Sequence, residues 1–160
     1  CAGANQPIFY RRTEGESPQI TPAPFNPPFI QQIGIVYLNK KQNSSSQVKS
    51  FLKSASPNEN LTEKISDLSK EFSIEQEANS FISLMHQHEE IIAEATGLTP
   101  VQELLFPEFE GAIKSLGAWG GDFALFLSEK DYPTNKEWFK SKGYSVVMPL
   151  EEVIINRQII

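Results

Sequence analysis

The chain has 160 residues, of which 39% are hydrophobic and 21% charged, and its formal net charge is −6 at pH 7. Such a chain forms one globular domain, or one domain and part of a second. Its acidity argues against nucleic acid and anionic membranes as partners, because no basic cluster exceeds Arg11–Arg12 or Lys40–Lys41. A local positive site for a small anionic substrate stays compatible with these averages.

A few residues bear on the compartment and on how complete the chain is. Cys1 is the only cysteine, so no internal disulfide forms, and no Cys/His spacing of a zinc site occurs. The sequence has neither an apolar run of about 18 residues nor a signal peptide. We therefore predict a cytoplasmic protein that does not enter a membrane. The chain begins CAGANQPIFY, without Met, which suggests a fragment.

The beginning of the chain is predicted to form a strand pair and a connector. Residues 7–12 alternate enough for a strand, and residues 19–25 return as a partner that prolines confine to a sheet edge. Four prolines within residues 22–28 stiffen the connector. The favoured domain boundary therefore lies here, between residues 1–29 and residues 30–160.

The stretch Ile30–Leu38, IQQIGIVYL, is the strongest strand pattern, because β-branched and aromatic residues dominate it. The polar residues 39–46, NKKQNSSS, follow directly. They fit a solvated loop that leads into a serine-capped helix. Alternatively, Lys41 and a hydroxyl of Ser44 or Ser45 hold a phosphorylated ligand at the strand end.

Three helices are predicted next, because apolar residues recur at helical spacing. They cover residues 47–55, a stripe from Leu61 to Phe72, and a longer stripe from Ile74 to Ala95 that Gly97 ends. The pair Ser73–Gln76 resembles a capping box for the longest helix. A helical segment therefore separates the first strand of this region from the next.

Several polar residues of this segment are candidates for a site. His88 lies near the apolar stripe, where packing competes with a functional role. Glu89 and Glu90 fit a solvated face better than a general base or a metal site. Thr99 before Pro100 is a typical cap and first-turn pair for a short helix, whose N–H groups would favour an anion.

Residues 111–128, GAIKSLGAWGGDFALFLS, are predicted to form a strand, a glycine loop and a second strand. The loop consists of Gly117, Ala118, Trp119, Gly120 and Gly121. Glycines permit positive φ and the close approach of other groups. The loop is therefore either a tight hairpin turn or a surface whose main-chain N–H groups face an anion or a neighbouring phosphate loop.

The last part of the chain completes the predicted order of elements. Asp131–Pro133 predict a turn, residues 135–142 a helix, and Tyr144–Met148 a strand. From residue 30 the order is strand, helices, strand, strand, helix, strand. The predicted class is therefore α+β, a ferredoxin-like split βαβ sandwich with extra helices in the first crossover.

This order, with a glycine loop between its second and third strands, resembles the C-terminal half of the GHMP kinases. That family includes galactokinase, homoserine kinase, mevalonate kinase and phosphomevalonate kinase. Its third motif runs approximately KLTGAGGGG, and residues 114–122 read KSLGAWGGD. His88, Gly97, Thr99 and Pro100 follow the order of the family's upstream helix and turn. Leu116, Trp119 and Asp122 depart from the motif, since threonine is usual at the first place and glycine at the other two.

The resemblance implies an N-terminal half that precedes this chain. In the family, that half carries the phosphate-binding loop and a catalytic Asp in a G-x-D-x-A segment. A subgroup in which this segment reads GYDIA would place the Asp just before Cys1. The resemblance thus implies that the missing half binds most of ATP and Mg²⁺, that no catalytic residue lies in this chain, and that the fragment alone is inactive.

The resemblance also assigns the two regions and the site. Residues 1–29 would end the N-terminal domain, preceding residues 30–160 as the C-terminal domain. Residues 117–121 would support the phosphate loop by close backbone approach. The substrate side would be formed by Lys41, Ser44, Ser45, His88 and Thr99.

The function implied is transfer of the γ-phosphoryl group of ATP to a small metabolite, with mevalonate or phosphomevalonate of isoprenoid biosynthesis as leading candidates. A diphosphomevalonate decarboxylase of the same superfamily is one alternative. A non-catalytic ferredoxin-like module for ligand binding or dimerisation is another. The expected partners are a small-molecule substrate and the missing half, with a homodimer as an option.

Overall fold

A computed structural model describes residues 6–13, 15–39, 59–117 and 121–154. Within these ranges the chain forms six β-strands, five α-helices and one 3-10 turn, arranged in two antiparallel sheets. The α+β class is therefore as predicted. The helix predicted for residues 47–55 falls outside the described ranges.

A two-stranded hairpin comes first. β1 Ile8–Arg11 pairs antiparallel with β2 Gln19–Pro22. Gly15 lies between them at φ 80°, a backbone conformation that glycine adopts without strain. The predicted strand pair is confirmed, and Pro22 stands at the end of β2, where a missing N–H donor is tolerated.

The next strand, β3 Gly34–Tyr37, is shorter than the predicted strand Ile30–Leu38. Residues Ile30–Gln32 instead form a 3-10 turn, in which the Gln32 N–H donates to Phe29 O and the Ile33 N–H to Ile30 O. The strand prediction was wrong over this half, because these local three-residue hydrogen bonds replace pairing with a neighbouring strand.

Two long helices follow, α1 Glu59–Ile74 and α2 Ala78–Thr96. Gly97 ends α2 at φ 70°, as predicted, and donates its N–H to Ala93 O at 2.8 Å. The predicted capping box was wrong. Ser73 lies inside α1 and its hydroxyl donates to the Lys70 carbonyl, while Glu77 precedes α2 without a side-chain cap.

The second sheet has four strands in the order β4-β5-β3-β6, and all neighbours are antiparallel. β4 Ala112–Leu116 and β5 Phe123–Leu127 match the predicted hairpin strands. β6 is Val147–Pro149, later than the predicted Tyr144–Met148. Since β3 and β4 each run antiparallel to β5, they run in the same direction with β5 between them.

Three short helices complete the fold: α3 Val101–Leu105, α4 Tyr132–Ser141 and α5 Leu150–Ile154. α4 begins three residues before the predicted helix 135–142. The reason is local, because the Asp131 carboxylate accepts a hydrogen bond from the Thr134 N–H at 2.9 Å and Pro133 stands in the first turn.

Both faces of the four-stranded sheet are covered. Successive strand residues point to opposite faces, and two core clusters divide accordingly. Val36, Ile113 and Phe126 belong to the cluster that contains Phe139 of α4 and Val101 of α3. On the other face, a second cluster contains Ile35, Ala112, Leu127, Phe29, and Phe81 and Met85 of α2. The sheet is the middle layer of three.

Candidate functional site

Gly117 and Gly121, the first and last residues of the glycine loop, lie at one end of the four-stranded sheet. Leu116 at the end of β4 pairs with Phe123 at the start of β5. Gly117 follows Leu116 at φ 77°, so the chain turns there in a conformation that favours glycine. The predicted order of strand, glycine turn and strand is therefore correct for the described residues.

The exit of β3 reaches the same end of the sheet. Tyr37 pairs with Phe123, and the Leu38 N–H donates to the Asp122 carbonyl at 2.7 Å. Asn39 follows with φ 56°, a left-handed conformation that Asn tolerates better than most residues. The polar segment after β3 therefore begins beside the end of the glycine loop.

A cleft of about 390 Å³ lies against this end of the sheet. Apolar side chains and loop backbone dominate its lining: Ile35, Leu116, Gly117, Gly121, Asp122, Phe123, Met148 and Val153. Two of the apolar side chains are half open to solvent, with Phe123 36% and Val153 54% exposed. The site is a small-molecule-sized open cleft, since such sites measure about 300–1,000 Å³.

The structure brings together only part of the predicted site. Gly117 and Gly121 line the cleft. The other predicted residues of the two loops lie outside the described part of the chain: Ala118, Trp119, Gly120, Lys41, Ser44 and Ser45. Their roles stay predictions. The residues that flank the two loops are nevertheless neighbours, because the Leu38 N–H donates to the Asp122 carbonyl.

His88 does not line this cleft. It lies on α2 beside Phe72, with ring centroids 6.3 Å apart. Its Nδ1 is buried and has no hydrogen-bond partner among the described residues. Burial, and then the positive charge of Lys114, lower the pKa of His88 to about 4. The imidazole is therefore neutral at pH 7.

A polar cluster beside His88 joins α2 to β4. The Ser115 hydroxyl donates to Glu89 Oε1 at 2.9 Å, and Glu89 is only 6% exposed. Lys114 Nζ donates to the Ser115 carbonyl at 3.1 Å, and burial lowers the pKa of Lys114 although Glu89 opposes that shift. The solvated-face interpretation was therefore wrong for Glu89, whereas Glu90 is exposed.

Thr99 is exposed and does not cap a helix. Pro100 precedes α3 as its cap residue, without a side-chain hydrogen bond, and α3 has five residues. The cap prediction was wrong because the helix begins one residue later than expected. A helix this short has a small dipole, so its N-terminus attracts an anion only weakly.

A second cleft, of about 320 Å³, lies between α2 and the segment that contains α3. Its ionisable lining residues are His86, Glu89, Glu90 and Glu103. No group of three or more His, Cys, Asp or Glu in the described ranges is arranged to hold a metal ion. This cleft is acidic, and neither His88 nor Thr99 lines it.

Among the helices that the structure describes, none is long and apolar enough to cross a bilayer. No protein-family model, no curated protein and no solved structure matches the chain. The class that the geometry itself defines is an α+β protein with an open, mostly apolar cleft under a glycine-ended hairpin.

Proposed function

We propose that residues 30–160 are the C-terminal domain of a GHMP-type, ATP-dependent small-molecule kinase and form an elaborated ferredoxin-like sandwich. The strand order β4-β5-β3-β6 with antiparallel neighbours supports this architecture, because a split βαβ unit places its third strand between the first two. The fold differs from a two-layer ferredoxin-like sandwich by a third layer, since helices pack on both faces of the sheet.

The observation that carries the proposal is the position of the glycine hairpin. Among the described residues, a Cβ at Gly117 would meet no heavy atom within 4 Å, and Gly117 and Gly121 both line the cleft. Bare backbone at the rim of a cleft permits the close approach of a phosphate loop or a substrate. The exit of β3 brings Asn39, the first residue of the polar segment, to the same end of the sheet.

This domain would position the substrate and would not itself take part in making or breaking bonds. Phosphoryl transfer depends on placement and charge stabilisation more than on covalent help from the protein. The described cleft residues fit neither Mg²⁺ nor a triphosphate, because they include one carboxylate residue, Asp122, and no cation. ATP, Mg²⁺ and the catalytic Asp are therefore assigned to the N-terminal half, and Lys41, Ser44 and Ser45 to the substrate.

The proposal is tested first by ATP consumption of the complete protein. Mevalonate, phosphomevalonate, homoserine and sugars are the substrates to screen. Release of carbon dioxide with diphosphomevalonate would favour the decarboxylase alternative. Absence of ATP consumption with every substrate would contradict a kinase for these classes.

A matched pair of variants tests the loop itself. Gly117→Ala and Gly143→Ala both place a Cβ at positive φ, 77° and 91°, and neither Cβ comes within 4 Å of another atom in the part of the chain that the structure describes. Both should cost about 1–2 kcal/mol of backbone strain. Only Gly117→Ala should raise the nucleotide KM or lower kcat, by about ten-fold. Equal kinetics in the two variants would show that the loop is not part of the site.

A non-catalytic ligand-binding module is the second candidate, and the apolar lining of the cleft favours it. Five of its residues are aliphatic or aromatic, whereas phosphate sites usually offer cations or main-chain N–H groups. The coding sequence before Cys1 discriminates the two. A PxxxGLGSSA-like loop and an Asp just before Cys1 favour the kinase, and a start codon at that place favours the module.

A further inference from the structure

We propose that Glu89 is a positioning residue, which holds the end of β4 in place through Ser115 and so fixes the point where the glycine loop starts. Glu89 lies on α2, and Ser115 is two residues before Gly117. α2 contributes no residue to the described lining of the cleft, so the contact would make the loop depend on a more distant element. The effect on catalysis rests on the proposed function, whereas the effect on the end of β4 does not.

Ser115 needs outside support because its pairing with β5 does not use its main-chain groups. Successive residues of an antiparallel strand point their N–H and C=O groups alternately towards and away from the partner strand. The Ile113 N–H donates to the Gln102 side chain and so points away from β5. Ser115 has the same orientation two residues later. Leu116 and Phe123 therefore form the hydrogen-bonded pair next to the loop.

Two side chains hold Ser115 on its outer side. Its hydroxyl donates to Glu89 Oε1 at 2.9 Å, and Lys114 Nζ donates to its carbonyl at 3.1 Å. Glu89 and Ser115 are both buried, with 6% and 8% of their surface exposed. A buried hydrogen bond to a charged group is stronger than a neutral one, and losing one partner leaves the other without water. The contact therefore ties the end of β4 to α2.

α2 is a fixed point for this contact, because its apolar side chains are buried against the sheet. Phe81 and Met85 belong to the core cluster that contains Ala112, and Glu89 follows Met85 by four residues on the same side of the helix. Burial lowers the pKa of Lys114, and the nearby Glu89 carboxylate opposes that shift. The described polar partners of Glu89 therefore both belong to β4.

A double variant, Glu89→Leu with Ser115→Ala, separates positioning from stability. Removing both partners of a buried hydrogen bond leaves neither of them unsatisfied, so the global stability should change little. Glu89→Gln is the conservative variant, because its amide oxygen still accepts from the Ser115 hydroxyl. Ser128→Ala is the control, since it removes a buried hydroxyl just beyond the other end of the hairpin and should lower stability without affecting the loop.

Amide hydrogen exchange of the full chain, without ATP, is the first measurement. In the double variant the Leu116 and Phe123 N–H groups should exchange about ten-fold faster, because a strand end that has lost its outer support opens more often. The Ala112 and Leu127 N–H groups, at the other end of the hairpin, should keep their rates. Glu89→Gln should resemble the wild type at all four positions.

The second measurement is kinetic and uses the complete protein with the substrate that the screen identifies. The double variant should raise the nucleotide KM about five-fold and change kcat by less than about two-fold, because a displaced loop weakens nucleotide binding more than it affects the transferred group. Glu89→Gln and Ser128→Ala should both keep the wild-type KM.

Four results would overturn the inference. Three concern exchange: unchanged rates at Leu116 and Phe123 in the double variant, equal acceleration at all four N–H groups, and a Glu89→Gln variant that exchanges like the double variant. The fourth is faster exchange with an unchanged nucleotide KM, since the contact would then be structural only. A complete protein that consumes no ATP contradicts the proposed function instead, and the exchange rates then decide by themselves whether Glu89 positions the end of β4.

Discussion

Gly34 is a residue whose missing side chain makes room for the core. It lies opposite Phe126 in the sheet, and a Cβ at Gly34 would stand less than 3.0 Å from three ring carbons of Phe126. Phe126 itself is fully buried and packs on Phe139, with ring centroids 4.6 Å apart. The ring therefore has little space to retreat.

We expect Gly34→Ala to lower the free energy of unfolding by about 1–3 kcal/mol, the usual cost of overpacking a core. Urea unfolding with an unchanged slope measures it. The double variant Gly34→Ala with Phe126→Leu should recover part of the loss relative to the sum of the single changes. Strict additivity of the two changes would contradict the proposed contact.

His88 should make the stability depend on pH in a defined window. Its folded-state pKa of about 4 lies below the ordinary histidine pKa of 6.5, so between these pH values the unfolded chain binds a proton that the folded chain does not bind. Stability is therefore fully present above pH 6.5 and falls as the pH drops towards 4. We expect a loss of about 1–2 kcal/mol, reduced by partial exposure to solvent.

The measurement compares the free energy of unfolding at pH 7 and pH 4.5 in three proteins. The wild type and His86→Gln should show the loss, because His86 is exposed, whereas His88→Gln should show a smaller loss. Lys114→Met should raise the pKa of His88 by NMR titration, since it removes the nearby positive charge. An unchanged His88 pKa in Lys114→Met would contradict the electrostatic part of this account.

Gln102 joins α3 to the edge strand β4 and to the segment before it, because its side chain makes three hydrogen bonds to them. Its Nε2 donates to Phe109 O at 3.2 Å and to Gly111 O at 3.1 Å, and its Oε1 accepts from the Ile113 N–H at 2.8 Å. One of these bonds satisfies the Ile113 N–H of the edge strand, and the other two satisfy carbonyls of the segment before it.

Gln102→Leu should lower the free energy of unfolding by about 2–4 kcal/mol, because three partly buried main-chain groups lose their partners. Gln102→Glu should also destabilise the fold at pH 7, since a carboxylate accepts from Ile113 but cannot donate to the two carbonyls. Glu103→Gln is the neighbouring exposed control. Thermal melts in which all three variants match the wild type would show that the hydrogen bonds of Gln102 do not contribute to stability.

The elements that the sequence predicted well are those whose cause is local. β4 and β5 follow from two short apolar runs around a glycine turn, and the end of α2 follows from Gly97. The two errors lie elsewhere. At residues 30–32, three-residue hydrogen bonds form a 3-10 turn in place of the predicted strand, and Ser73 is buried within α1 and does not cap α2.

The same distinction applies to the candidate site. The glycine hairpin is visible in the sequence, and two of its residues line a cleft. The floor of that cleft is not visible, because Ile35, Leu116 and Met148 meet only through the pairing of strands far apart in the chain. The buried position of Glu89 was equally hidden, since its neighbour Glu90 has the same chemistry and faces solvent.

At the scale of the whole molecule, the central sheet joins segments that are distant in sequence. β3 and β6 are neighbours although more than a hundred residues separate them. The two core clusters on either side make the sheet the structural centre, and the cleft lies at one of its ends. The position of the first domain boundary can be tested by asking which N-terminal residues this core needs.

Two shortened chains test whether that boundary lies at residue 29, as predicted, or earlier. A chain that begins at residue 24 loses only the hairpin, in which no described residue is buried, so its Tm should stay within about 2 °C of the full chain. A chain that begins at residue 30 also loses Phe29, which is 5% exposed and makes an edge-to-face contact with Phe81 at 5.3 Å between ring centroids.

We expect the chain that begins at residue 30 to be less stable by about 3–5 kcal/mol, the usual cost of removing a buried aromatic side chain. For a chain of this size, that corresponds to a Tm lower by about 10 °C. The full-length variant Phe29→Ala should reproduce most of the loss, which separates the side chain from the deletion. If both shortened chains melt alike, residues 24–29 lie outside the core and the predicted boundary stands.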